Sequence, residues 1–361
     1  MYLNRIRLEN YRNISAAEIS LNRNISVFYG LNGQGKTNFL ESVYLLGSGR
    51  SFRTAKIHEL IHHGQNESVL RAEIGSEKIN SQISLLLSGD IRRVFINGKS
   101  IYRAADLQGI LPVVVFSPDD TTMIKLGPES RRRYLDRTLY VCSRNFLQCY
   151  HAYYRTLKQR NVLLRTGNRN GLDEWTEQLI DSGLKLMQCR QSFVAEFAKL
   201  FAKTYALITG GMETVSLRYK PDVQAENFNL LMKQSLESDL RHGTTGHGPH
   251  RDDLQFLIDE RSLKVFGSQG QQRSYILALK MAELEYLQEA FHDSPVLLLD
   301  DMASELDRNR TENLLLFLNQ KKIQTMITTT DPTTLPLSLF DSSSRFRVED
   351  GTLTYEETKS R

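Results

Sequence analysis

The spacing of apolar and polar positions changes character twice along the chain. In the first third, apolar residues come in short runs around one helical stretch. Positions 24–29 read as a strand ending at Gly30, and 38–46 carries Phe39, Leu40, Val43 and Leu46 at helical spacing. Positions 83–87 and 94–96 read as strands, and Asn97-Gly98 between them and Ser100 predicts a two-residue hairpin turn. Val113–Phe116 is a continuous apolar run stopped by Ser117-Pro118, the pattern of a buried strand. In the middle, Leu147, Tyr150, Tyr154, Leu157 and Leu164 form a helical stripe. A glycine-containing turn at 166–171 follows, and then a second long helix over 172–206. The last third alternates again. Helices are predicted over 271–291 and 309–318, strands over 296–299 and 325–327, and a closing hairpin around Asp350-Gly351.

This pattern predicts an α/β head built from 1–117 and 246–361, with a helical lobe inserted at 118–245. Composition adds little: 40% hydrophobic and 24% charged residues are ordinary for a globular chain. No run of 18 apolar residues is present, and residues 1–7 lack the apolar core of a signal peptide. The expectation is therefore a cytoplasmic protein with no membrane partner. Cys142, Cys149 and Cys189 form no CxxC pair and read as three reduced thiols. Charge is more informative. Ten Arg or Lys lie between 131 and 170 with Asp136 as the only acid, in a chain whose total is only +4. Such a block is a candidate footprint for a polyanion.

Candidate chemistry begins at Gly30-Leu31-Asn32-Gly33-Gln34-Gly35-Lys36-Thr37, a complete GxxxxGK[ST] between a predicted strand and a predicted helix. Glycines let backbone N–H groups curl around phosphate oxygens, and the following helix turns its positive end toward the same anion. Lys36 is expected to reach the terminal phosphates of ATP, and the Thr37 hydroxyl to ligate Mg²⁺. Val296-Leu297-Leu298-Leu299-Asp300-Asp301 supplies the other half. A buried strand delivers Asp300 toward the metal at its C-terminal edge, and Asp301 follows as the residue that orients or deprotonates water.

Spacing then narrows the class. Lys36 and Asp300 are 264 residues apart, too far for a small nucleotide kinase or GTPase. Ser268-Gln269-Gly270-Gln271-Gln272 opens a predicted helix just before the Asp-Asp strand and resembles the LSGGQ signature of ABC ATPases, with Gln269 replacing a glycine. Ser268, Gly270 and Gln271 at a helix N-terminus make a second anion site. Since the P-loop of the same chain already holds the terminal phosphate, the expectation is use in trans, with ATP clamped in a homodimer. Ser304-Glu305-Leu306-Asp307 resembles the D-loop, and Thr330 stands where the superfamily usually has its switch histidine.

Several further segments resemble the RecF family of bacterial recombination ATPases, relatives of the SMC heads. They are Leu8-Glu9-Asn10-Tyr11-Arg12-Asn13, Phe52-Arg53-Thr54, Phe116-Ser117-Pro118-Asp119-Asp120, Gly127-Pro128 leading to Arg131–Asp136, and Gly248-Pro249-His250-Arg251-Asp252-Asp253. The resemblance covers essentially the whole chain. It implies an ATP-dependent dimer that binds DNA and works with RecO and RecR to load the recombinase RecA at gaps. It also implies that Arg12 approaches the nucleotide phosphates. The glutamine with which SMC heads reach the metal would fall near Ser117.

Within the basic block, Tyr150 and Tyr154 read as core, and Arg155, Lys158 and Arg165 as candidate DNA contacts. No base-reading motif is evident, so backbone and junction shape would govern recognition. His247 and His250 read as a turn returning the chain to the head, because no third metal ligand of the usual spacing accompanies them. An energy-coupling ATPase of a transporter is the alternative reading, and a metabolic P-loop kinase a third. Asp301 is one methylene shorter than the usual glutamate. Its water should be poorly placed, and turnover should fall well below the enzyme median of roughly 10 s⁻¹.

Overall fold

The computed structural model describes residues 1–75, 80–102, 104–107, 109–211, 213–301, 308–340 and 342–356. They group into two compact units, one of 1–121, 207–210 and 273–361, the other of 122–206 and 211–272. The first unit is the expected α/β head. The second junction falls at 272/273, whereas the sequence pattern places it at 245/246. The reason is strand pairing. β9 (Val215–Lys220) pairs antiparallel with β10 (Asp253–Ile258), which pairs with β11 (Arg261–Ser262), tying 246–272 to the inserted unit.

The head contains two six-stranded sheets. The antiparallel one has the order β2-β1-β4-β5-β6-β7, from β1 (Tyr2–Tyr11), β2 (Ile14–Ser20), β4 (Glu67–Gly75), β5 (Ser81–Ser88), β6 (Ile91–Ile96) and β7 (Lys99–Ile101). The expected hairpin closes it. Asn97 and Gly98 both have positive φ, 49° and 77°, and Ile96 pairs with Lys99. The mixed sheet has the order β15-β14-β3-β13-β12-β8, from β3 (Ile25–Tyr29), β8 (Val113–Phe116), β12 (Val296–Leu299), β13 (Thr325–Thr329), β14 (Ser343–Glu349) and β15 (Thr352–Glu356). All neighbours in it are parallel except β14 and β15. β3 is thus flanked by β13 and β14, both from the end of the chain.

Helix α1 (Lys36–Ser48) follows β3 and meets strands of both sheets. It buries Phe39, Leu40, Val43, Tyr44, Leu45 and Leu46 around most of its circumference, as a helix enclosed between layers must. Its residues join Leu3, Ile6, Phe28, Leu70, Leu85, Leu298 and Met326 in one core. Helix α10 (Arg308–Gln320) also belongs to the head.

The inserted unit contains α2 (Thr122–Lys125), α3 (Pro128–Cys142), α4 (Arg144–Thr166), most of α5 (Leu172–Thr209), α6 (Phe228–Gln234), α7 (Leu236–His242) and α8 (Leu263–Phe266). The last helix of the chain before β12 is α9 (Gln269–Phe291). On α4 the buried face carries Phe146, Tyr153, Leu157, Arg160 and Leu164, and Tyr150 and Tyr154 are only half-buried. The core stripe is therefore shifted from the expected one, because a charged residue occupies one of its positions. Arg160 is fully buried, with Nη1 donating to Asp239 at 2.8 Å and Thr245 at 2.7 Å, and Nε donating to Thr176 at 2.9 Å. Arg190 of α5 is equally buried. It donates two bonds of 2.9 Å to Asp136 and one of 2.9 Å to Asp252. Charges at this depth persist only with such carboxylate pairing, although Arg160 Nη2 has no hydrogen-bond partner. Among the described residues no helix is long and apolar enough to cross a membrane.

Candidate nucleotide site

The phosphate loop lies between β3 and α1, as its spacing predicts. Gly35 precedes α1 with φ of 107°, and no side chain caps that helix end. A side chain at Gly35 would collide with Asn13, whose Oδ1 lies 2.7 Å from the position of a Cβ, and one at Gly30 would lie 2.3 Å from the Val348 carbonyl. The loop is braced from outside. Gln34 accepts from the Gly351 N–H at 3.0 Å and from the Asn13 amide at 3.2 Å, while its own side-chain oxygen accepts from the Asp350 N–H at 2.6 Å. Asn13 in turn accepts from Asn38 at 2.7 Å, and Asn38 from Arg53 at 2.7 Å. Leu31 and Asn32, at the outer turn of the loop, and Gly33 with φ of 81° are exposed.

Lys36 is the first residue of α1 and is buried. Its ammonium donates to the carbonyls of Gly30 and Leu31, both at 2.7 Å. Burial lowers its pKa, and Asp301 and Asp300 oppose that shift. Thr37 donates to Asp300 Oδ1 at 2.9 Å. Asp300 lies just beyond β12, where its N–H donates to the Phe116 carbonyl at 2.9 Å, and burial raises its pKa. The same Oδ1 accepts from the Thr328 hydroxyl at 2.7 Å, and that hydroxyl accepts from the Asp301 N–H at 2.8 Å. Asp301 itself has a φ of 51°, in the left-handed region. A hydroxyl and a carboxylate at 2.9 Å from each other form a hard-oxygen pair that suits a magnesium ion. The glycine loop, an uncapped helix end and Lys36 suit a polyphosphate. The donor set therefore fits both groups.

Three other residues of the motifs have defined partners or positions. Arg12 grips buried Glu41 through Nε and Nη2, both at 2.9 Å, and its Nη1 donates to the Glu59 carbonyl at 2.8 Å. It also lines a cleft of roughly 860 Å³ with Asn13, Asn38, Arg53, His58 and His62. The threonine beside the carboxylates is Thr328, inside β13, whereas Thr330 is exposed just past the strand end. Ser117 bonds Asp120 through its N–H at 2.8 Å and its hydroxyl at 3.2 Å, and Lys280 pairs with Asp120 at 2.9 Å. Asn13, Thr328 and Glu41 are the site residues that sequence reasoning gave no role. Asn13 stood within a quoted motif, but only the folded chain shows what these side chains hold.

The signature segment belongs to the second unit. Ser268 and Gln271 cap α9 reciprocally: the Gln271 N–H donates to Ser268 Oγ at 3.2 Å, and the Ser268 N–H donates to Gln271 Oε1 at 2.7 Å. Gln271 also donates to Glu213 at 2.7 Å. Ser268 is exposed, as are Val265 and Phe266 of α8 just before it. Met302–Asp307, with the D-loop expectation, lies outside the described residues.

Part of the basic block is engaged within the chain. Arg131 grips Asp253 through two nitrogens, at 2.8 and 3.0 Å, and Arg132 donates to the Asp252 carbonyl. Arg133 pairs with Glu129, Arg169 with Glu237, and Arg160 is buried. Arg155, Lys158 and Arg165 are exposed on α4. His250 is a structural residue: its ring bonds the Tyr153 hydroxyl at 2.7 Å and the Thr245 carbonyl at 3.0 Å. Burial pushes its pKa down to about 4. Among the described residues no cluster of His, Cys, Asp or Glu is suited to hold a metal ion.

Comparison with known proteins places this arrangement. The family model "RecF/RecN/SMC N terminal domain" matches residues 2–352. The "DNA replication and repair protein RecF" of Trichlorobacter lovleyi is 53% identical over 363 residues, covering 99% of both chains. This chain belongs to the RecF family. A second relative of the same description, from Geobacter metallireducens, is 42% identical over 98% of this chain and 100% of its own. Among solved structures, "the recombination mediator protein RecF-ATP in RecFOR pathway" superposes with a TM-score of 0.88 at 31% identity, covering 98% of this chain and 99% of its own. An SMC head bound to the C-terminal winged-helix domain of ScpA gives a TM-score of 0.58 at 15% identity over 99% of this chain and 97% of its own, a likeness of fold alone. The fold is thus the ABC-type ATPase head with an inserted helical lobe.

Proposed function

We propose that this chain is an ATP-driven DNA-binding protein of recombinational repair, in which two copies sandwich ATP and close on DNA. The observation that carries this reading is the division of the phosphate-binding apparatus. The head carries Lys36, Thr37 and Asp300 around one uncapped helix end, while a separate, exposed helix end in the other unit carries Ser268, Gly270 and Gln271. Lys36 would exchange its carbonyl partners for the β- and γ-phosphates. Ser268 would release its reciprocal cap and meet the γ-phosphate of ATP held by the twin copy. Leu31, 76% exposed, and Val265 and Phe266, 69% and 63% exposed, are apolar residues beside the two half-sites and suit burial between copies.

Thr37 and Asp300 would hold Mg²⁺, which neutralises phosphate charge when bound. Asp301 would position the attacking water. Its short side chain makes hydrolysis a slow release step, since a displacement of about 1 Å can lower a rate on the order of a hundredfold. Arg12, Asn13 and Arg53 line a cleft and would be the side chains that meet the rest of the nucleotide. Arg155, Lys158 and Arg165 would bind DNA phosphates without reading bases. RecF relatives solved with ATP are named for the RecFOR pathway. That name supports RecO and RecR as partners; loading of RecA at gaps, replication restart, SOS induction and a cytoplasmic location are further parts of the same proposal.

The test is light scattering of the full chain with and without ATP, and with ATP plus gapped DNA. ATP should double the mass, and Ser268→Arg should retain ATP binding yet stay monomeric. Dimers of Ser268→Arg would overturn the sandwich. An energy-coupling subunit of a transporter would show no ATP-dependent retention of gapped DNA.

A further inference from the structure

Helices α4 and α5 run antiparallel in a register that their side chains report directly. Arg160 Nε bonds Thr176 at 2.9 Å, and the Thr156 and Ser182 hydroxyls lie 3.2 Å apart. One heptad further along each helix stand Cys149 and Cys189. A heptad returns a helix face to almost the same direction, so the two thiols repeat the facing position of the two hydroxyls. The Asn145 amide, one turn from Cys149 on α4, lies 3.7 Å from Cys189 Sγ, which confirms that register. The Cys149 sulfur is a neighbour that acts electrostatically on Cys189. Both are half-buried, within reach of small solutes, and Cys142 lies on α3.

We propose that Cys149 and Cys189 form a reversible disulfide that staples α4 to α5 when a hydroperoxide oxidises the protein. A disulfide needs facing side chains on backbones about 4.4–6.8 Å apart at Cα. Helix axes packed about 8–10 Å apart, each with Cα atoms about 2.3 Å from its axis, can bring facing Cα atoms into that range. Burial and the neighbouring sulfur push the Cys189 thiol up to about 11, so Cys189 is the poorer first nucleophile. Cys149, with the Lys185 ammonium nearby, meets the oxidant. Its thiolate attacks one peroxide oxygen, the O–O bond breaks, and the departing oxygen leaves as water after taking up a proton, giving a sulfenic acid. The Cys189 sulfur then attacks Cys149. An S–S bond forms, the S–O bond breaks, and the released hydroxide takes the Cys189 proton and leaves as water. Two thiols lose two electrons and two protons, and hydrogen peroxide becomes two waters. A dithiol reverses the bond by exchange. The inference is independent of whether Arg155 and Lys158 bind DNA.

The experiment exposes the full chain to hydrogen peroxide, then measures intact mass and maps peptides without reduction. The expected result is a loss of about 2 Da, reversed by dithiothreitol, with peptides bearing Cys149 and Cys189 joined. Stapling should raise the melting temperature by about 5 °C or more. Cys142→Ser should behave as wild type. Cys149→Ser and Cys189→Ser should each lose the link and the shift, with Cys149 trapped by dimedone as the sulfenic acid in Cys189→Ser. Should either serine variant fold poorly, the wild-type peptide map decides alone. A link through Cys142, a link between chains, or stable sulfinic acid on Cys149 with no link would overturn the proposal.

Discussion

The carboxylate of Asp300 depends on Thr328, and that dependence can be measured. Thr328 is 1% exposed; its hydroxyl donates to Asp300 Oδ1 at 2.7 Å and accepts from the Asp301 N–H at 2.8 Å. Thr328→Val preserves shape and removes both bonds. Loss of a hydrogen bond to a charged group is worth about 1.5–3 kcal/mol, and a backbone N–H without its acceptor adds about 1 kcal/mol. Asp300 keeps its bond from Thr37, so the total should be about 3 kcal/mol. At about 2–4 °C per kcal/mol, the melting temperature should fall by about 6–12 °C. Thr328→Ser keeps the hydroxyl and should lose about 1 kcal/mol through its missing methyl. Magnesium-dependent ATP binding, followed by titration calorimetry, should weaken about 10-fold or more in the valine variant, as expected when a metal ligand loses its outer support. Thr330→Val, beyond the strand end, should do neither. A valine variant as stable as wild type, or a larger effect at Thr330 than at Thr328, would refute the reasoning.

Charge reversal of Arg155 and Lys158 together should weaken binding of gapped DNA and reduce the slope of log affinity against log salt by about 1–2; fluorescence anisotropy across a salt series tests this, and unchanged affinity would move the DNA surface elsewhere. His250 predicts an acid limb of stability. Its folded-state pKa of about 4 lies below the ordinary value of 6.5, so the stability it contributes is complete above pH 6.5 and is lost as pH falls toward 4. The full loss is roughly 3 kcal/mol. The difference in denaturation free energy between wild type and His250→Gln should shrink by about that amount from pH 7 to pH 4; a constant difference would contradict the assignment.

The parts of the site carried by short contiguous patterns were legible in the sequence. The loop of residues 30–37 and the strand ending in Asp300 each need only local spacing, and the structure sets them 2.9 Å apart at Thr37. What stayed hidden depends on side chains meeting across long separations. Nothing in the spacing of Arg12 reveals that Glu41 occupies it, or that Asn13 and Asp350 brace Gln34. The basic block misled in a related way. Hydropathy counts Arg160 as surface, yet Asp239 and Thr245 make it core and shift the buried face of α4. Counting charge likewise cannot separate Arg131, gripped by Asp253, from exposed Arg155. The cysteines read as unrelated because their proximity comes from helix register.

The strand that carries the phosphate loop also sets a schedule during synthesis. Both neighbours of β3 in its sheet, β13 and β14, begin 300 and 318 residues after it. At about 5–20 residues per second, a nascent chain would hold Gly30–Thr37 without its flanking strands for roughly 15–60 s. Ribosome-bound chains should therefore be unable to capture nucleotide until their final hairpin emerges, which would keep half-made copies out of the ATP-bound pool.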